Sequence, residues 1–185
     1  VRYVEHNSKE IDLLHRDLLI GVTRFFRDTK PFEELADKWL PQLIEGKNER
    51  NEPLRIWVAG CSTGEEAYTL AILCQEVMAK LNVMVDVKIF ATDVDKEAIV
   101  KAGQGLYMES IAADVPRGLL TKYFFRQEDG YQISRRTREM VVFAQHDVNK
   151  DPPFTNLDLI SCRNLLIYLQ SILQRRVLEY FNFSL

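Results

Sequence analysis

The feature that most constrains this chain is an alternation of short apolar runs with longer helical ones, beginning at Leu54. LRIWVAG (54–60) is followed by STGEEAYTLAILCQEVMAKL (62–81), then VDVKIFATDVD (85–95), then KEAIVKAGQG (96–105). Strands that alternate with helices form a parallel sheet, because each crossover helix returns the chain to the same edge of the sheet. The expected fold class is therefore α/β, a doubly wound Rossmann-like sheet. The stretch 106–139 breaks the rhythm with a helical LLTKYF, a turn at Asp129-Gly130 and a short strand YQISR, and reads as a small β-rich insertion. The alternation resumes with MVVFAQHDV (140–148), LDLISC (157–162) and a helix NLLIYLQSILQRRVLEYF (164–181).

Ahead of the alternation the chain reads as helical. In SKEIDLLHRDLL (8–19), an N-cap serine precedes Ile11, Leu14 and Leu18 at helical spacing, and Gly21 stops the run. PFEELADKWL (31–40) is a second helix with Pro31 at its first position, which Pro41 ends or kinks, and GKNERNEP (46–53) reads as a surface connection. The expected organisation is a helical lead-in over 1–50 and a sheet domain over 51–185, with the insertion at 106–139.

Charge excludes some partners. Against 27 acidic residues the chain has 24 basic ones, for a net charge of -3, so no overall positive field draws it to nucleic acid or anionic lipid. No apolar run approaches the roughly 20 residues that span a bilayer. The opening VRYVEHNSKE lacks the apolar core of a signal peptide, and a cytoplasmic protein is expected. Cys61, Cys74 and Cys162 show no CxxC spacing and suit a reducing compartment. His6, His15 and His146 form no metal-binding pair, so no metal is expected.

Between the first strand and its helix lies Gly60-Cys61-Ser62-Thr63-Gly64-Glu65-Glu66. Small residues at the carboxyl edge of an open sheet let a ligand approach the backbone. The loop has neither GxGxxG nor the GK[ST] of a phosphate-binding loop, so phosphate cradling is not supported. Thr63 and Glu66 have capping-box spacing, which is the structural alternative for Glu66. A carboxylate here can also face a sulfonium or an ammonium group, which favours S-adenosylmethionine over ATP. The second strand ends in Asp93, where a carboxylate can accept from both ribose hydroxyls, with Asp95 left to cap the following helix. The third ends in Asp147-Val148, where a carboxylate or backbone group can meet an adenine amino group.

TRFFRD (23–28), AGCSTGEEAYTLAI (59–72), IFATDVDKEAI (89–99) and FTNLDLISCRNLLIYL (154–169), in that order, resemble the CheR-type methyltransferases that esterify glutamate side chains of bacterial chemoreceptors. The resemblance implies an S-adenosylmethionine-dependent methyltransferase sheet whose protein substrate is a chemoreceptor cytoplasmic domain. It places Thr23 and Arg27 near the cofactor's methionine part, Glu66 and Asp93 as cofactor-contacting acids, and Arg163, Asn164 and Tyr168 on the segment facing the transferring methyl group, with Arg163 and Asn164 also expected to bind the cofactor. Three departures stand out. Gly21 replaces a frequent asparagine, most of the family's N-terminal helical domain is missing, and the chain stops before the closing strands, as expected of a fragment of a larger signalling protein. The hairpin in FRQEDGYQISRR is shorter than in relatives that grip a receptor's C-terminal peptide, which implies no tight binding of that peptide.

For the acceptor, Arg27 offers a planar fork to a carboxylate, and Tyr168 follows Asn164 by one helical turn on the same face. The structural alternatives are an ion pair from Arg27 to Asp28 or Glu33, and a core position for Tyr168. A nucleic-acid methylase is disfavoured, because DPPF (151–154) precedes the strand LDLISC instead of following it, and reads as a proline turn. The remaining rival is a non-catalytic sensory module that keeps the cofactor fold.

Overall fold

The computed structural model describes residues 23–185; the expected helix at 8–19, Gly21, His6 and His15 lie outside the described residues. Its framework is a four-stranded parallel sheet in the order β6-β2-β1-β7, built from β1 (Leu54–Ala59), β2 (Val87–Asp93), β6 (Val141–Gln145) and β7 (Leu159–Ser161). All three pairings are parallel, so the four carboxyl ends share one edge.

Alternation along β1 decides what each face packs against. Leu54, Ile56 and Val58 enter the larger core with Tyr68, Leu70 and Ile72 of helix α3 (Glu65–Leu81), whereas Trp57 and Ala59 enter a second core with Val177 and Phe181 of helix α7 (Ser171–Ser184). Two cores on two faces make the three-layer, doubly wound arrangement expected. Each large buried side chain contributes about 1.5–3 kcal/mol. Trp57 is buried yet satisfied, its indole N–H donating to Thr92 Oγ1 at 2.9 Å. Helix α4 (Lys96–Gln104) crosses from β2 into a separate antiparallel sheet, ordered β3-β5-β4, of β3 (Leu106–Tyr107), β4 (Phe124–Gln127) and β5 (Gly130–Ile133), with helix α5 (Arg117–Tyr123) between β3 and β4 and helix α6 (Arg135–Arg138) after β5. Its hairpin turns one residue earlier than expected, at Glu128-Asp129, with Gly130 opening β5, and a Cβ at Gly130 would lie 2.0 Å from the carbonyl oxygen of Tyr107, so only glycine fits there.

Two local expectations fail. GKNERNEP (46–53) is a surface connection only from Asn51 on: helix α1 (Thr29–Glu34) widens into a π-helical turn (Leu35–Trp39) and continues as helix α2 (Leu40–Arg50). Pro41 lacks an amide to extend the α ladder, and the wide turn before it absorbs that defect, so the helix changes pitch without stopping. The second failure is the last helix, which starts at Ser171, not Asn164; a 3-10 turn (Leu166–Tyr168) and extended residues separate it from β7. Asn164 there has a left-handed backbone (φ 59) that an α-helix cannot include.

Candidate active site

Every sequence-predicted site residue that follows a strand lies at the carboxyl edge of the parallel sheet, where open α/β sheets bind ligands. Gly60 ends β1 with φ 79, and a Cβ on it would come within 3.2 Å of the Leu165 side chain, so part of its smallness is used by the protein's own packing. The loop after it is fixed to β2: Gly60 and Cys61 both donate to the Thr92 carbonyl at 2.8 and 2.9 Å, and the amide of Ser62 donates to Asp93 Oδ2 at 2.8 Å. Asp93 Oδ1 accepts from the Asp95 amide at 3.0 Å. A carboxylate has about four lone-pair positions, so each oxygen of Asp93 keeps capacity for a further donor. Asp95 takes the capping role, its Oδ1 accepting from Glu97 and Ala98 at the start of α4.

The capping box does not form. Helix α3 is preceded by Gly64, with no side-chain cap, and the Thr63 hydroxyl donates to the Glu65 carboxylate at 2.7 Å. The left-handed Gly64, not Thr63, occupies the N-cap position, so Thr63 and Glu66 are out of capping register. Glu66 is freed from capping and instead accepts from the Ser161 hydroxyl at 2.6 Å, across 95 residues of sequence. Burial pushes its carboxyl above the usual range, and the Ser161 hydrogen bond and the Arg163 and Arg27 guanidinia oppose that shift. Burial raises Glu65 likewise.

At the end of β6 the picture is different. Asp147 is committed to its own turn: its carboxylate accepts from the Asn149 amide at 2.9 Å and pairs with Lys150 at 3.1 Å. Burial raises its pKa, but these hydrogen bonds outweigh it and hold the acid below its ordinary value. Val148 is buried in the Trp57 core, which leaves its backbone as the group able to face a ligand.

The segment before α1 lies against the β7 end. Phe25 is buried, edge-on to Tyr107 and Phe124 of the small sheet, and the Phe26 amide donates to Thr69 Oγ1 of α3 at 3.2 Å. Thr23 is half-buried just ahead of it. Arg27 Nε lies 4.0 Å from Asp28 Oδ2, at the outer limit of an ion pair, and Arg163 Nη2 donates to the Arg27 carbonyl at 2.7 Å and to Asp28 Oδ2 at 3.2 Å. Tyr168 is 54% exposed, so it is not a core aromatic. The argument that put it on one helical face with Asn164 is overturned, because no α-helix joins the two. DPPF begins at a bend at Asp151, its prolines lie in neither a turn nor a regular element, and Phe154 stacks on Phe90 at 5.2 Å between ring centroids.

Sequence reasoning missed Ser161 and Phe32 as groups that organise the site, and saw Asp28 only as an ion-pair partner of Arg27, without its contact to Arg163. Ser161, the last residue of β7, was visible as a hydroxyl at a strand end, but its partner was not.

A parallel sheet covered on both faces, with a glycine-containing turn after its first strand and an acid at the end of its second, is a doubly wound, Rossmann-like arrangement of the kind that binds a nucleoside-bearing ligand such as S-adenosylmethionine at this edge. Glu66 and Asp93 fit that cofactor, one a buried acid beside two guanidinia, the other with spare acceptor capacity. Residues 21–185 match the family model described as "CheR methyltransferase, SAM binding domain", and the chain belongs to that family. An uncharacterised 104.1 kDa protein of Rhodobacter capsulatus is 42% identical, covering 97% of this chain but 19% of that protein. A chemotaxis protein methyltransferase of Borreliella burgdorferi is 35% identical over 98% of this chain and 66% of its own length; a second, from Vibrio cholerae, is 34% identical over 95% and 61%. The chain thus spans about a fifth of the first relative and just under two thirds of the others.

Proposed function

We propose that this chain transfers a methyl group from S-adenosylmethionine to glutamate side-chain carboxylates on the cytoplasmic domain of a bacterial chemoreceptor, as part of a longer signalling protein. The observation that carries the reading is the gathering of Gly60, Glu66, Asp93 and Arg163 around one sheet edge in a member of this family. The chemotaxis methyltransferases among its relatives support the substrate class, and the 104.1 kDa relative supports fusion to other domains.

The cofactor, when bound, supplies an electrophilic methyl group on a sulfonium sulfur. In this reading Asp93 accepts from the ribose hydroxyls, and Glu66, its ionised form favoured by the Ser161 hydroxyl and the nearby guanidinia, accepts from the ammonium group of the methionine part. Thr23, Gly60, Asn164 and the backbone at Asp147-Val148 complete the pocket. Arg27 and Tyr168 hold the acceptor carboxylate in line with the methyl group. That carboxylate is already ionised at neutral pH, so alignment is the main task and no strong base is needed. Charge separation shrinks as the new C–O bond forms, so a partly dry site assists the step. Among the described residues no helix is long and apolar enough to cross a membrane, and the reading is of a cytoplasmic protein.

Titration calorimetry with S-adenosylmethionine and S-adenosylhomocysteine, followed by radiolabelled methyl transfer to receptor-bearing membranes, tests this. Binding with transfer is expected. Binding without transfer would favour a non-catalytic sensory module, and no binding would reject the cofactor site.

A further inference from the structure

Arg163 carries more of the site's architecture than a cofactor ligand needs to. Its side chain is 19% exposed, and its Nη2 is divided between the Arg27 carbonyl and the Asp28 carboxylate. The same guanidinium lies 4.5 Å from the centroid of the Phe32 ring, within cation–π range. These partners bracket an unusual piece of backbone: Phe26 (φ 51) and Asp28 (φ 53) are both left-handed, which costs an L residue about 1–2 kcal/mol each. Such a conformation persists only where the surroundings over-determine it. Phe25 packed on the small sheet and the Phe26 amide bound to Thr69 fix the start of the segment. On the far side of Phe26, Arg163 reaches both the Arg27 carbonyl and the Asp28 carboxylate, and Asp28 in turn lies beside the Arg27 side chain.

We propose that Arg163 is a positioning residue, which sets the backbone and, through Asp28, the side chain of Arg27, so that the substrate carboxylate is held in line for methyl transfer. A guanidinium suits the task because one terminal nitrogen reaches both a carbonyl and a carboxylate while its planar face lies on Phe32, a flat stacking surface that the compact ammonium of lysine does not offer. Ser161, two residues earlier, donates to Glu66, so the end of β7 and the residues just after it fix both the α3 side and the Arg27 side of the site.

The inference rests on the reading of Arg27 as the group that orients the acceptor. The test is a double-mutant cycle in the full-length protein with Arg163→Lys and Asp28→Asn, reading single-turnover methyl transfer at saturating cofactor and calorimetric affinity for S-adenosylhomocysteine. Each variant is expected to slow transfer about tenfold, the scale of a small misplacement of a reacting group. Affinity should change by less than about threefold, and the double variant should be no slower than Arg163→Lys alone. A tenfold loss of affinity in Arg163→Lys with Asp28→Asn silent and the effects additive would make Arg163 a direct cofactor ligand and overturn the proposal. Should Arg163→Lys not fold, the exposed Asp28 carries the test, and a wild-type rate in folded Asp28→Asn rejects the proposal. Arg27→Ala separates the two readings. A wild-type rate there removes Arg27 from the acceptor site and this inference with it, whereas a slow Arg27→Ala beside fast Asp28→Asn and Arg163→Lys rejects this inference alone.

Discussion

The two halves of the site are built by different means. Around Gly60 and Asp93 the groups are fixed by backbone amides: Asp93 accepts from Ser62 and Asp95, and Asp95 from Glu97 and Ala98, partners within one strand–turn–helix unit or its immediate neighbour. Around Arg27 and Glu66 they are fixed by side chains brought together across the chain, Ser161 to Glu66 over 95 residues and Arg163 to Arg27 over 136. The first half depends on two adjacent strands and the turns that follow them, and should tolerate change elsewhere. The second exists only when the β7 end is docked, so it is where substitution should separate chemistry from stability.

The largest expected effect is on the side-chain half. Arg27→Ala and Tyr168→Phe should keep their fold and most of their cofactor affinity while transfer falls about a hundredfold, or ~2.7 kcal/mol of transition-state stabilisation. Single-turnover rates at saturating cofactor measure this, and wild-type rates in both folded variants would return the two residues to the surface.

Asp93→Ala should break the backbone half in two ways at once. Cofactor affinity should drop at least about tenfold, and the unliganded protein should lose about 1–3 kcal/mol, because the Ser62 and Asp95 amides lose their acceptor. Calorimetry and denaturant titration read the two losses separately. Unchanged affinity in a folded variant would show that the carboxylate serves the loop and not the ribose.

Ser161→Ala is expected to cost about 1 kcal/mol, since Glu66 stays buried without its hydroxyl donor. A midpoint of urea unfolding equal to that of the parent would mean that the 2.6 Å contact contributes nothing net.

The smallest effect has the opposite sign. Glu66 has a folded-state pKa above its ordinary value of 4.5, so at this site the folded chain binds more protons than the unfolded one just above that pH, and the contribution of Glu66 to stability falls as pH rises through that window. Below 4.5 the acid is neutral in both states and the loss is absent. Glu66→Gln keeps an acceptor for Ser161 without the buried charge, and should raise the melting temperature of the unliganded protein near neutral pH by about 2–4 °C. The gain should shrink as the pH is lowered, and the same variant should bind S-adenosylmethionine more weakly. A melting temperature that does not change with pH in parent and variant alike would reject the assignment of the buried charge to Glu66.

The sequence by itself determined the parallel sheet, its layers, the small antiparallel insertion around Asp129-Gly130, and the strand ends where ligand groups gather. Periodicity and punctuation are local, and the physics that reads them acts within a few residues: alternation along β1, the Asp95 cap and the hairpin turn are each complete in a short window. The same locality explains the errors. Spacing alone made Thr63 and Glu66 a capping box, but the left-handed Gly64 directed Thr63 to Glu65 and left Glu66 for Ser161. Apolar spacing carried a helix from Asn164 through Tyr168, but Asn164 is left-handed and Gly60 is closely packed on Leu165, so the chain stays irregular until Ser171. Only the tertiary structure decided which distant side chains meet at the site, because a hydrogen bond between Arg163 and Arg27 leaves no period or motif in the residues between them. It depends on β7 pairing with β1 and on the segment before α1 lying against that end of the sheet, and both are properties of the packed whole.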